Sequence, residues 1–194
     1  MDYLQKLYRA IILDIELYEE VEADKTLTRQ AMMTVAIVAI IESIFYLGSE
    51  DSIIIIGSIE AALGSIIRWV LWAFLIAFVG TRILPEPETD SNTGELLRTL
   101  GFAYAPGIFY ILSPLPVFEF FVPLLVPFWQ LASMTIAVRQ ALDFSSTTRA
   151  IGVCVVAFFL AILILLIILF ASFTLENIIS NALQPASPAL GDLI

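Results

Sequence analysis

The chain reads as long apolar runs separated by short polar breaks, with its first twenty residues as the exception. There Leu4, Leu7, Tyr8, Ile11, Ile12, Ile15 and Tyr18 recur at the i, i+3, i+4, i+7 spacing, which predicts one amphipathic helix over residues 3–21. Charges interrupt that segment too often for it to cross a bilayer, so it is expected to lie in the membrane interface. Asp24 is placed to cap the next helix, whose apolar core runs from Ala31 to Leu47. An acidic turn covers 48–51. The run from 53 to 84 is then broken only by Gly, Ser, Glu60, Arg68 and Arg82. Residues 59–84 alone would reach about 39 Å at 1.5 Å per residue, so one long, tilted second span is expected.

PEPETDSNTG, residues 85–94, is a polar loop whose prolines close the second helix. A third span follows over Leu96–Leu112, a tight SPLP connection over 113–116, and a fourth span over Val117–Leu142. DFSSTTR, 143–149, reads as a capped turn with Ser145 or Ser146 at the N-cap. The fifth span, Ala150 to Phe173, is the most apolar stretch, and the residues after it read as a loose tail. The expected fold class is all-α: a polytopic membrane protein with five transmembrane helices and an N-terminal interfacial amphipathic helix. Its divisions are residues 1–28, 29–173 and 174–194.

Composition agrees with that class. Of 194 residues, 60% are hydrophobic and 14% charged, and the mean hydropathy of +0.95 is more than a soluble domain of this size can hide. The opening residues are too acidic and too amphipathic for a secretory signal peptide. The formal net charge of −10 disfavours nucleic acid, which leaves the lipid bilayer and other integral membrane proteins as expected partners. Position matters more than the sum. Under the five-span reading Lys6, Arg9, Lys25, Arg29, Arg82, Arg98, Arg139 and Arg149 all fall on one side, while 48–58, 113–117 and 174–194 contain no Lys or Arg. The positive-inside rule then predicts a cytosolic N-terminus and a C-terminus outside.

Catalytic material is sparse. Histidine is absent and Cys154 is the only cysteine, so there is no Ser–His or Cys–His pair, no disulfide framework and no usual zinc or iron–sulfur ligand set. There is no pair of mid-span aspartates and no phosphate-cradling G-x-x-x-x-G-K. No enzyme activity and no cofactor are expected.

Several groups remain as candidates. Arg68 falls well inside the second span, where a charge is costly and usually paired. Glu42 and Glu60 are its reachable partners, either as a structural ion pair or as part of an ion path; the alternative is Arg68 snorkelling to the interface. Gly57, Ala61, Ser65, Ala73, Ala77 and Thr81 form a small-residue stripe for close helix packing, within the chain or in a homo-oligomer. Pro123 and Pro127 are expected to kink the fourth span and free the carbonyls of Glu119 and Pro123. Gly101 is expected to permit close helix approach, and Pro106 with Gly107 to bend the third span. The acidic cluster of Asp14, Glu16, Glu19, Glu20, Glu22 and Asp24 reads as a solvated face in preference to a docking site for a basic partner.

ELLRTLGFAYAPGIF, a proline-interrupted turn, then WQLASMTIAVRQALDFSSTTRA before a final apolar span resembles the Yip (Ypt/Rab-interacting-protein) domain family. The family's L-R-x-x-G-[YF]-x-x-x-P element is matched by Leu97, Arg98, Gly101, Phe102 and Pro106. Its second element is matched by Arg139, Ala141, Leu142, Ser145 and Arg149. LYEEVEADKTLTRQA, 17–31, is similar to the segment that leads prokaryotic members into span one. The resemblance implies five spans. Eukaryotic members are implicated in ER and Golgi trafficking and in binding prenylated Rab GTPases, and carry a D-L-Y-G-P element that this chain lacks. It is therefore read as a prokaryotic-type member of the plasma membrane. The expected role is to bind or organise other membrane proteins or lipids, as in a small accessory subunit of a larger complex. The rival is a small transporter or channel using Glu42, Arg68 and the kinked fourth span.

Overall fold

The computed structural model describes residues 2–47, 51–87, 89 and 91–183, and every regular element among them is helical. The N-terminal run is two helices rather than one. α1 (Tyr3–Ile11) opens on Asp2 in a capping box with Gln5, and α2 (Ile15–Ala23) opens on Asp14, whose side chain accepts the Glu16 N–H. Between them Leu13 sits at φ 61. Asp14 offers the backbone a cap instead of another helical turn, which is why a continuous stripe in the sequence breaks here. The break also splits the stripe's use. Of the stripe, Leu7 and Tyr18 are buried, joined on α2 by Leu17 and Val21 from outside it, while Leu4, Tyr8, Ile12 and Ile15 stay exposed.

A 3-10 turn, Lys25–Leu27, is capped by Asp24 and leads into α3 (Thr28–Leu47). The acidic turn expected at 48–51 lies mostly outside the described residues. α4 (Asp51–Phe78) runs on through a π-helical turn, Val79–Ile83, so the second apolar segment is one long element as expected. α5 (Thr93–Ala103) starts at a capping box in which Asn92 and Glu95 satisfy each other's backbone amides. α6 (Phe118–Ala141) runs as one helix through Pro123 and Pro127. α7 (Thr147–Leu183) begins with Ser146 at its cap position, its carbonyl accepting from the Ala150 amide. It continues ten residues past Phe173, where a tail was expected. The sequence contains no Gly or Pro between 174 and 183 to end it; the remainder of the tail lies outside the described residues.

The third segment departs most from expectation. In place of a bent α-helix over 96–112, α5 ends at Ala103 and the chain resumes as a 3-10 helix over Ala105–Leu112. Pro106 stands at the start of that second helix, where its missing N–H costs no intrahelical bond. The proline therefore begins a helix instead of kinking one.

Among the described residues three helices are long and apolar enough to cross a membrane: Gly57–Ile83, Phe118–Ala141 and Thr147–Ser180. Contacts divide the chain into two compact units, residues 1–157 and 158–194. In the first, α3 packs on α4, α5 and the 3-10 helix, and α6 packs on α5 and the 3-10 helix. α1 and α2 are docked on this bundle: Tyr18 Oη and Ser133 Oγ share a buried hydrogen bond of 2.6 Å, and Tyr3 Oη and Thr34 Oγ1 a partly buried one of 3.0 Å. All three tryptophans donate across helices. Trp69 reaches the Leu97 carbonyl, Trp129 the Ile11 carbonyl and Trp72 the Met134 sulfur. The second unit, as described, is helix through Leu183, with Phe159, Leu166, Phe170 and Ile178 exposed along it.

Candidate functional site

The motif arginines gather near the α6–α7 turn, with Arg149 reaching the carbonyls of Leu84 and Pro85 and Arg98 sharing a cavity with Asp143. Arg98 is buried, and its Nε donates to the Val21 carbonyl at 2.9 Å while Nη2 donates to the Glu22 carbonyl. Those carbonyls belong to the last turn of α2, where the helix leaves acceptors unsatisfied and its dipole favours a cation. Arg98 thus pegs α2 to α5. Arg139 does the same for the turn after α6, donating to the carbonyls of Phe144 and Ser145 and to Thr147 Oγ1. Arg149 donates to the Pro85 carbonyl at 2.9 Å and pairs with Glu86 at 3.5 Å, and Glu86 also accepts the Ser145 amide at 3.0 Å. All three arginines hold backbone oxygens of their own chain.

The glycines and Phe102 do the packing. A Cβ built on Gly101 would lie 2.6 Å from the Ala31 Cβ and 3.0 Å from that residue's backbone. One on Gly107 would strike Val38 and lie 2.6 Å from Gln130 Nε2. Ala31 and Val38 are two turns apart on α3, so both glycines press one stripe of that helix. Phe102 is fully buried, edge-on to the Tyr3 ring at 6.5 Å.

Behind Arg98 lies a cavity of about 350 Å³ lined by Glu19, Glu22, Lys25, Glu95, Arg98, Gln140 and Asp143. Glu22 is pushed up to about 7, first by burial, then by the charges of Asp143 and Glu95 and less by Glu19; Arg98 opposes the shift. The rest of the acidic cluster has separate uses. Arg9 pairs with Asp14 at 2.5 Å and Glu20 at 2.8 Å, which holds the Asp14 carboxyl below its usual range. Glu19 accepts from Gln140 and Asp24 caps the 3-10 turn. Only part of the cluster is the plain solvated face that the sequence suggests.

The interior charges meet only in part. Gln130 Nε2 donates to the Tyr104 carbonyl at 3.5 Å, and Glu42 and Arg68 lie near enough for their charges to act on Tyr104 and on each other. Arg68 itself lies back over Gly64 and donates to Ser65 Oγ at 2.5 Å; it makes no contact ion pair with Glu42, and Glu60 is exposed. Beside this cluster a second cavity of about 300 Å³ is lined by Ala103, Tyr104, Pro127, Gln130, Leu131 and Met134. Of the two prolines, Pro127 reaches that lining. Among the described residues no group of three or more His, Cys, Asp and Glu is arranged to hold a metal. Of the small-residue stripe, Ser65, Ala73 and Ala77 are buried within the chain.

The sequence pointed to Arg98, Gly101, Glu42 and Arg68. It did not point to Glu95, Tyr104 or Asp143, whose partners lie on elements far along the chain. Comparison with curated proteins and with solved structures finds no match. A family model described as Yip1 domain matches residues 18–169, a stretch that takes in α3 to α6, both motif elements and the Arg98 peg on α2. A helical membrane protein with its motif residues used in this way, and matched over that length, belongs to the Yip1 domain family.

Proposed function

We propose that this chain is a non-enzymatic integral membrane protein that binds or organises other membrane proteins or lipids, for instance as a small accessory subunit of a larger membrane complex. The observation that carries this reading is the division of labour between motif and surface. Buried Arg98, Gly101 and Gly107 face inward and hold the helices, and Arg139 and the exposed Arg149 are spent on carbonyls of their own chain, while α6 presents Phe120, Phe121, Leu124, Leu125 and Phe128 outward. Aromatic and aliphatic side chains on a helix of this length form a face for lipid or for a neighbouring transmembrane helix.

Five spans are part of the proposal. α3 has 20 residues, about 30 Å of helix. α5 and the 3-10 helix have 11 and 8 residues, which at about 1.5 and 2.0 Å per residue also reach about 32 Å. With the N-terminus cytosolic, every motif arginine lies at the cytosolic end. A prokaryotic plasma membrane is the proposed location.

A second reading, a small transporter or channel, is favoured by one observation: Glu42, Gln130 and Arg68 from three helices and Tyr104 from the turn after α5 gather beside the 300 Å³ cavity. One experiment separates the two. Photo-reactive residues replacing Phe121 and Leu125 in native membranes are expected to yield a recurring protein or lipid adduct that survives mild solubilisation. A lone protein without such adducts, whose melting shifts with a solute and loses that shift in Glu42→Gln, would replace the first reading with the second.

A further inference from the structure

We propose that docking of α2 on the bundle is controlled by a proton held in the cavity between α2, α5 and the α6–α7 turn. This goes beyond the role proposed above and would stand without it. The geometry carries it. Glu22 ends α2 and faces Glu95 and Arg98 from α5 and Asp143 from the α6–α7 turn, with Glu19 beside it on its own helix and Lys25 lining the same 350 Å³ space. Arg98 is committed to the Val21 and Glu22 carbonyls by its Nε and Nη2. Docking therefore brings four carboxylates from three elements around one cavity with two cations, and half-buries Glu22. The cheapest relief of that repulsion is to protonate Glu22, the carboxylate nearest the joint.

The direction follows from linkage. An undocked Glu22 titrates near the ordinary glutamate value of 4.5 and a docked one at about 7, so the docked state binds the extra proton. Docking is then tightest below pH 4.5, weakens as pH rises towards 7, and changes no further through this group above about 7. One proton sets the limit at about tenfold in the docking equilibrium per pH unit; solvent reaching Glu22 makes the slope shallower. The device loosens the N-terminal helices in a neutral cytosol and clamps them on acidification.

The test is hydrogen exchange of peptides covering residues 14–27 in the full chain in lipid nanodiscs, from pH 5 to 8.5, with exchange times scaled for the intrinsic pH dependence. Protection should fall between pH 5 and 7 and then level. Glu22→Gln should keep high protection at every pH, and Glu16→Gln, exposed on the same helix, should behave as the parent. If Glu22→Gln fails to assemble, Glu95→Gln retains the capping-box chemistry and tests the same field. It should bring the plateau to a lower pH and raise protection at pH 8. A parent whose protection is flat with pH, a Glu22→Gln variant that retains the parent's dependence, or a Glu95→Gln plateau that does not move would each overturn the proposal.

Discussion

Gly101 meets Ala31 with no space for a side chain, and Gly107 meets Val38 in the same way two turns further along α3. The clash at Gly101 involves backbone atoms of Ala31, which cannot swing aside as a rotamer can. Gly101→Leu is therefore expected to push α5 off α3 and cost on the order of 1–3 kcal/mol by overpacking, read as a fall in melting temperature in detergent. Adding Ala31→Gly should recover part of that loss. A Gly101→Leu protein that melts like the parent would mean the two helices are not in contact there. Gly101 was legible in the sequence as a site of close approach, because a missing side chain inside an apolar run lets two helices come together. Its partner was not, since Ala31 is one of many alanines in the chain and nothing local distinguishes it.

At the scale of elements, the N-terminal helices behave differently from a segment resting loosely on a membrane. α2 is fastened at both ends of its inner face, by the Tyr18–Ser133 hydroxyl pair and by Arg98 on its last carbonyls. The hydroxyl pair is fully buried, so its members are unequal under mutation. Ser133→Ala leaves the Tyr18 hydroxyl without a partner in an apolar setting, expected to cost about 1–3 kcal/mol. Tyr18→Phe leaves a serine that can turn to the carbonyl one helical turn back, and should cost less. The double variant is expected to melt no lower than Ser133→Ala alone, because removing both groups removes the stranded one. Strictly additive losses would show that the two hydroxyls act independently.

For the molecule as a whole, the question is which side each end faces. The basic residues that bear on it are also structural: Arg98, Arg139 and Arg149 bind carbonyls at one end of the bundle, with Lys25 in the cavity there. A cluster that serves packing still obeys the positive-inside rule, since insertion responds to the charge whatever it later binds. Reporter fusions should place residue 1 in the cytosol and residue 194 outside. Both reporters on one side would remove the five-span arrangement and move one of α3, α5 or the 3-10 helix out of the membrane.

The apolar runs of the sequence determined that this is a helical membrane protein, because burial of so much hydrocarbon has few solutions and each run's length sets a helix. The order of Leu97, Arg98, Gly101, Phe102 and Pro106, followed by Arg139, Ser145 and Arg149, identified the family for the same local reason. Tertiary structure alone decided what those residues hold. Pro106 has the same missing amide whether it kinks a helix or starts one, and the packing of Gly107 on Val38 selects the start. Arg98 carries the same charge in either setting, and only the arrival of α2 turns it from a surface cation into a buried peg. Glu22 was one acid in a run of six until the fold brought Glu95 and Asp143 to it. Periodicity and composition act between near neighbours, whereas these assignments depend on groups far apart along the chain, such as Arg98 and Val21, 77 residues away.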